Sequence, residues 1–374
     1  MSWQDEVVAH RRALHQIPEL GFEESETQAY LHQALQSMGL DPVAHKTGLW
    51  ADIEGNGPGK TVMLRADIDG LPLKEDTGLS FSSRHEGIMH ACGHDGHMAI
   101  LLGTTARLLA NRDDFTGRVR VAFQPAEEKP PGGAVDLIAA GVLEGVDEVL
   151  GLHLWSEFPV GEVQLLAGPA MANADEFIIR VKGRGGHGSA PETTKDAVLI
   201  AAQIVVNLQT IVSRRIGAFD PAVVSCGTIS GGANFNIIAE QAEITGTVRT
   251  FSQEVQKRIR QEIHHIAQTT AQLCDAEVDF SYVMGYPAVV NHAQTVARWS
   301  KALGGVVELR EGQPSMGGED FAYYLHHRPG AFLFLGCAPQ GEIFPHHSPH
   351  FLINEEALPL GVEALWRGVQ SVSE

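Results

Sequence analysis

Within nine residues, Met89-His90-Ala91-Cys92-Gly93-His94-Asp95-Gly96-His97, the chain sets a thiol, three imidazoles and a carboxylate. Thiolate and imidazole together suit Zn²⁺ and similar borderline cations. The chemistry such a set points to is hydrolysis, in which bound cations polarise a carbonyl and activate water. The stretch does not complete a site. Further donors lie at Asp67 and Asp69, at the adjacent pair Glu127-Glu128, at His153, and at His346, His347 and His350. Cys92, His94, Glu128, His153 and one of the three late histidines would be enough for a two-metal site. Glu127 would then be left over as a proton shuttle. Neighbouring side chains usually point apart, so Glu127 and Glu128 can serve one site only if the chain after Pro125 is irregular. The stretch His85-Glu86-Gly87-Ile88-Met89-His90 imitates a metalloprotease helix, but its histidines are five apart with glycine between. That chemistry needs them at i and i+4 on one helical face.

These groups need a frame, and the hydrophobic pattern supplies one. Residues 5–40 read as two helices broken at Pro18-Glu19-Leu20-Gly21. Strands are expected at 50–54, 61–67, 118–124 and 148–155, and helices at 98–110 and 134–143. Alternating strands and helices predict a largely parallel sheet covered on both faces. Ligands collect at the carboxyl ends of such strands, where Asp67, Glu127, Glu128 and His153 fall. From 173 to 286 the pattern becomes β-α-β-β-α-β, the ferredoxin-like split unit. The expected division is a catalytic domain of 1–172 and 287–374 carrying an inserted domain of 173–286, placed to act as a lid.

Composition narrows the function. A chain of 374 residues with 44% hydrophobic content is an ordinary globular size for two domains. Its net charge of −19 argues against nucleic acid, which wants clustered Lys and Arg. No basic amphipathic stretch or bilayer-length apolar run marks a membrane partner. Residues 1–12 carry no signal-peptide pattern. The four cysteines are scattered and form no Cys-x-x-Cys, which fits a reducing cytoplasm. Cys226, Cys274 and Cys337 read as small core residues.

In its motifs the chain resembles the M20 metallopeptidase superfamily, in the amidohydrolase branch with hippurate hydrolase and N-acyl-amino-acid amidohydrolases. The motifs are Arg65-Ala66-Asp67-Ile68-Asp69, the Met89–His97 stretch, Gln124-Pro125-Ala126-Glu127-Glu128 and Gly151-Leu152-His153. Gly183–Gly188, Gly246–Thr250, Gly317–Phe321 and His347-Ser348-Pro349-His350-Phe351 follow in family order. The resemblance implies a zinc-exopeptidase-like α/β catalytic domain with a mixed, mostly parallel sheet, plus a ferredoxin-like α+β lid and dimerisation domain. It implies Cys92, His94, Glu128, His153 and His347 as ligands of two divalent cations, with Cys92 between them. Zn²⁺ comes first among these cations, with Mn²⁺, Co²⁺ or Ni²⁺ as alternatives. It implies Glu127 as general base and His187 as oxyanion stabiliser, in dimers reaching the neighbouring subunit. It implies Asn236 and Arg249 as substrate contacts; for Arg249 a structural ion pair is the competing reading. Asp67, Asp69, Glu319 and Asp320 read as orienters of ligands.

The implied reaction splits an N-acyl-L-amino acid into a carboxylic acid and a free amino acid, in a homodimer or homotetramer. A dipeptidase or aminopeptidase, or a non-catalytic metal- or ligand-binding protein, are the alternatives. The chain departs from the branch at Asn236-Ile237-Ile238-Ala239, where Asn-x-Ile-Pro is usual. It departs again at Pro191-Glu192, where a histidine is usual.

Overall fold

The computed structural model describes residues 2–373. The chain divides into two compact units. One comprises Met1–Ala170, Val290–Pro314 and Asp320–Glu374; the other comprises Met171–Val289 and Ser315–Glu319. The short Ser315–Glu319 segment lies outside the 173–286 range expected for an inserted domain.

The first unit is built on an eight-stranded sheet. Its order is Val43–His45, Gly48–Glu54, Arg118–Gln124, Thr61–Asp67, Glu148–Trp155, Gly330–Gly336, Glu162–Gln164, Glu308–Arg310. The four strands from Arg118–Gln124 to Gly330–Gly336 run parallel. They are buried along nearly their whole length, which explains why apolar residues dominate them. Gly48–Glu54 joins antiparallel to Arg118–Gln124, and Glu162–Gln164 antiparallel to Gly330–Gly336. The sheet is therefore mixed, with a parallel centre. Helices Trp3–His15, His94–Ala110 and Ala357–Ser373 close a core of Val7, Leu14, Ile100, Leu101, Leu358 and Leu365. Among the described residues no helix is long and apolar enough to cross a membrane.

The second unit has a four-stranded antiparallel sheet in the order Ala222–Gly231, Gln241–Thr250, Ala174–Lys182, Glu277–Tyr286. Helices Ala197–Leu208 and Gln253–Gln272 pack Ile200, Ile204, Ile259 and Ile263 against Phe177, Ile179 and Val181. This is the ferredoxin-like strand order. Helix Ala197–Leu208 is followed by a π-helical turn, Ile211–Arg215. All four cysteines are free. Cys92 and Cys337 are buried, whereas Cys226 and Cys274 are only half-buried at the edge of this second core.

The C-terminal turn of helix Trp3–His15 is held by buried charge. Arg11 Nε donates to Asp95 Oδ2 at 2.8 Å, and His15 Nδ1 donates to the same oxygen at 2.7 Å. His15 Nε2 lies 3.3 Å from Glu75 Oε1, so the ring needs a proton on both nitrogens. Burial alone would lower the His15 pKa, but Asp95 and Glu75 outweigh it and the folded value rises above 6.5. Burial would likewise raise Glu75, yet bonds from His15, Ser83 and Thr77 bring it to about 2. His15 therefore contributes stability that is complete below pH 6.5 and lost as pH rises through its folded value. The Glu75 contribution is complete above 4.5 and lost as pH falls toward 2. Melting temperature should decline above neutrality, and His15→Gln should flatten that limb. Equal slopes for the two proteins across this limb would contradict the pairing.

Candidate metal centre

The donors come from the carboxyl ends of three parallel strands, one helix start and one late loop. Thr61–Asp67 ends on Asp67, Arg118–Gln124 leads into Pro125-Ala126-Glu127-Glu128, and His153 lies near the end of Glu148–Trp155. Helix His94–Ala110 begins four residues earlier than its apolar repeat indicates. Gly93, at φ +92°, makes the sharp entry that lets the helix start on His94 itself. His347 sits in the last loop with φ +65°, and its N–H donates to the Ala91 carbonyl at 2.8 Å, next to Cys92. A positive φ at a non-glycine residue is strain of the kind that gathers at functional sites.

The structure brings Cys92, His94, Glu127, Glu128, His153 and His347 together. The donor atoms of Cys92, His94 and His153 lie within 4.8 Å of one another, and so do those of Cys92, Glu128 and His347. Cys92 belongs to both groups. His94, Glu127 and Glu128 form a further group at the same separation. Glu127 and Glu128 join one donor group because the chain between them and Pro125 is irregular: Ala126 takes the left-handed conformation, φ +54°.

The His94 and His153 imidazoles are each turned by a partner on the far nitrogen. His94 Nδ1 donates to the Asp69 carbonyl at 3.0 Å, and His153 Nδ1 to the Leu154 carbonyl at 2.7 Å. A carbonyl can only accept, so both rings carry a proton on Nδ1 and turn Nε2 toward the cluster. His153 Nε2 lies 3.5 Å from Cys92 Sγ. Asp69 also accepts the Glu128 N–H at 2.9 Å on Oδ2, so one residue orients donors of both groups.

His97 is excluded by its bonds. His97 Nδ1 donates to Asp67 at 2.6 Å, and its Nε2 accepts the Leu154 N–H at 2.9 Å, leaving no lone pair for a cation. His346 donates to the Leu154 carbonyl at 3.0 Å, and His350 to the Asp76 carbonyl at 2.7 Å. Of the three late histidines, only His347 reaches the cluster, with Nε2 3.0 Å from Glu128 Oε1.

Several features show that these residues fit bound cations. His94 Nε2 and Glu128 Oε1 are buried and make no hydrogen bond, although His347 stands within ion-pair range of the latter. Orphaned donor and acceptor atoms of this kind are costly unless something electrophilic completes them. The electrostatics agree. Burial, together with Glu128, Glu127 and Asp67, pushes the Cys92 thiol well above its ordinary range. Burial would lower His94, but Asp67 and Asp69 hold its proton up to about 10. His153, by contrast, is kept neutral by burial and by the rings of His97 and His346.

Behind the donors lies a hub that the sequence pattern did not reveal. Arg65, fully buried, donates to Asp67 at 2.6 Å, Asp320 at 2.8 Å and Gln124 at 2.9 Å. It ties the ends of two strands to the Asp320 segment. A buried cation shared by two carboxylates leaves both uncompensated when removed, at a cost of about 3–5 kcal/mol. Arg65→Leu should lose about that much in denaturant unfolding of the metal-free protein. A loss under about 1 kcal/mol would show that the hub is not structural.

The remaining expected site residues lie in the second unit. His187 is exposed on the two-residue strand Gly186–His187, paired with Ile237–Ile238. Its Nδ1 accepts the Ser189 N–H at 3.1 Å, so a neutral ring carries its proton on Nε2. Asn236 is exposed, and its carbonyl accepts the Gly188 N–H at 2.9 Å. Arg249 is half-buried in strand Gln241–Thr250. The nearby Asp175 carboxylate is taken by Gln256, Tyr282 and the Gly285 N–H. No ion pair to Arg249 occurs among the described residues, so the structural reading of that residue has no partner here.

Strand ends converging on two donor groups that share a thiol, with the Glu127 carboxylate beside them, define a metallohydrolase. The model of Peptidase family M20/M25/M40 matches residues 63–370, and the chain belongs to that family. It is 41% identical over 358 residues to N-acetyl-L-cysteine deacetylase of Bacillus subtilis (strain 168), covering 95% of this chain and 85% of that one. It is 43% identical over 289 residues to N-acyl-L-amino acid amidohydrolase of Geobacillus stearothermophilus, covering 77% of this chain and 78% of that one. Among solved structures it is similar to the YXEP protein of Bacillus subtilis, described as a dinuclear metal binding peptidase from the M20 family. The TM-score is 0.88 at 34% identity, over 99% of this chain and 98% of that one. The chain is a hydrolase.

Proposed function

We propose that the chain hydrolyses the amide bond of N-acyl-L-amino acids, giving a carboxylic acid and a free amino acid. Cys92, His94, Glu128, His153 and His347 would hold two divalent cations. The observation that carries this reading is the shared thiol: two donor groups meet at Cys92, and Glu127 stands beside them. The names of the deacetylase and amidohydrolase relatives support the substrate class, and the YXEP protein supports the count of two ions. A thiolate donor favours Zn²⁺, while the carboxylate and imidazoles also accept Mn²⁺, Co²⁺ or Ni²⁺.

The cations supply, when bound, Lewis-acid polarisation of the carbonyl and a lowered pKa for water. The chain's own residues do the rest. The Glu127 carboxylate takes a proton from water and returns it to the amide nitrogen as the C–N bond breaks. His187 offers an Nε2–H to the oxygen that gains negative charge. Arg249, a half-buried cation with no ion pair among the described residues, receives the substrate carboxylate, and Asn236 lies beside the His187 strand to contact the substrate. The second unit also offers a self-association surface. Helix Ala197–Leu208 exposes Val198, Leu199 and Val206, and strand Ala222–Gly231 has one unpaired edge. A homodimer or homotetramer through this unit fits both.

The test is a screen of N-acetyl, N-benzoyl and longer N-acyl amino acids, with dipeptides alongside, on metal-depleted protein reloaded with each cation. The expected result is chelator-sensitive release of free amino acid from acyl amino acids. Cleavage of dipeptides alone would favour the dipeptidase reading, and no hydrolysis of any amide would contradict catalysis.

A further inference from the structure

Glu24 is fully buried, yet among the described residues no cation pairs with it. It occupies the N-cap of helix Ser25–Ser37, where an acidic side chain ordinarily takes the first free N–H groups of its own helix. Here it does not cap. Glu19 takes that task instead, accepting from Glu26 N–H at 3.1 Å, Thr27 N–H at 2.8 Å and the Ser25 hydroxyl at 3.2 Å. Glu24 is thereby released inward. Its Oε1 accepts the Ala126 N–H at 2.8 Å, and its Oε2 accepts the Thr47 hydroxyl at 2.6 Å. Burial raises its pKa, which marks how costly the placement is.

Ala126 is the left-handed residue that brings Glu127 and Glu128 into one donor group. That conformation is unfavourable for a residue with a Cβ, and its buried N–H would be orphaned without an acceptor. The approach is close. A Cβ on Gly21 would stand 3.0 Å from both Cα and Cβ of Ala126, so the Pro18–Glu24 loop fits directly against the turn. We propose that Glu24 is a positioning residue: its hydrogen bond to Ala126 holds the strained turn that aims Glu127 at the substrate and Glu128 at the cations. The inference rests on the proposed function for the role of Glu127, but its geometric content is independent of substrate.

Two variants separate the hydrogen bond from mere filling of space. Glu24→Gln keeps an acceptor for the Ala126 N–H; Glu24→Met fills the same volume without a strong one. Cation affinity is read on the metal-depleted protein by competition with a chromogenic chelator, and turnover on the reloaded protein. Glu24→Met should weaken cation binding by about tenfold or more, as removal of a partner behind a ligand does. It should lower kcat by a similar factor or more, with KM within about threefold. Glu24→Gln should stay within about threefold of the wild type in each. If the Met variant does not fold, Thr47→Val, which frees Oε2, should give a smaller loss in both readouts. Met matching Gln in affinity and kcat, or an unaffected Thr47→Val, overturns the proposal. Failure of the functional reading looks different: no amide is then hydrolysed by the wild type, while the affinity difference between Met and Gln persists.

Discussion

Glu127→Gln is expected to retain the full metal content of the wild type and to lose between about a hundredfold and ten-thousandfold in kcat. The side chain is nearly buried, with Oε2 4.0 Å from His94 Nε2, and it stands in one donor group with His94 and Glu128. The amide keeps the size of the carboxylate without its charge. It cannot take a proton from water at neutral pH, nor hand one to the leaving amine. Because both steps use the same group, the loss should fall on kcat, with KM nearly unchanged. Metal analysis beside steady-state kinetics checks this. Near-normal turnover would remove Glu127 from the chemistry, and loss of metal would make it a ligand.

Cys92→Ser is the second large effect. No other residue belongs to both the His94–His153 group and the Glu128–His347 group. A hydroxyl is a poor substitute for a thiolate toward borderline cations. Partners that only orient ligands cost roughly 10–100-fold in metal affinity when lost. A shared ligand should exceed that range, so the variant should drop below two cations per chain after dialysis and lose hydrolysis. Cobalt loading offers a direct reading, since thiolate-to-cobalt charge-transfer absorption should be present in the wild type and absent in the variant. Unchanged stoichiometry and spectrum would require a centre that does not use sulfur.

The frame of this site was legible in the sequence where burial imposes a pattern. Strands Thr61–Asp67, Arg118–Gln124 and Glu148–Trp155 run over the residues that their apolar content indicates, because a strand covered on both faces is dominated by apolar residues. The margins of the sheet were not legible. Glu162–Gln164 and Glu308–Arg310 are too short to carry any period. The start of the His94 helix was hidden because its first turn is occupied by donors rather than apolar residues.

Residue chemistry found the cluster but could not rank the histidines in it. His97 and His347 are alike in type; what separates them is that His97 has Asp67 and the Leu154 N–H on its two nitrogens. Least legible were the supports. Arg65 joins Asp320 across 255 positions of sequence, and Glu24 reaches Ala126 across 102. Ala126 gives no sign of a left-handed turn, since alanine ordinarily avoids one. Long-range pairs of buried polar groups leave no periodic trace.

The most direct test of the dinuclear centre is anomalous diffraction from crystals of the zinc-loaded protein, collected on both sides of the metal edge. Two anomalous peaks per chain are expected, with Cys92 Sγ bonded to both. His94 and His153 should bond to one ion, and Glu128 and His347 to the other. A single peak, or two peaks neither of which touches Cys92, would contradict the account.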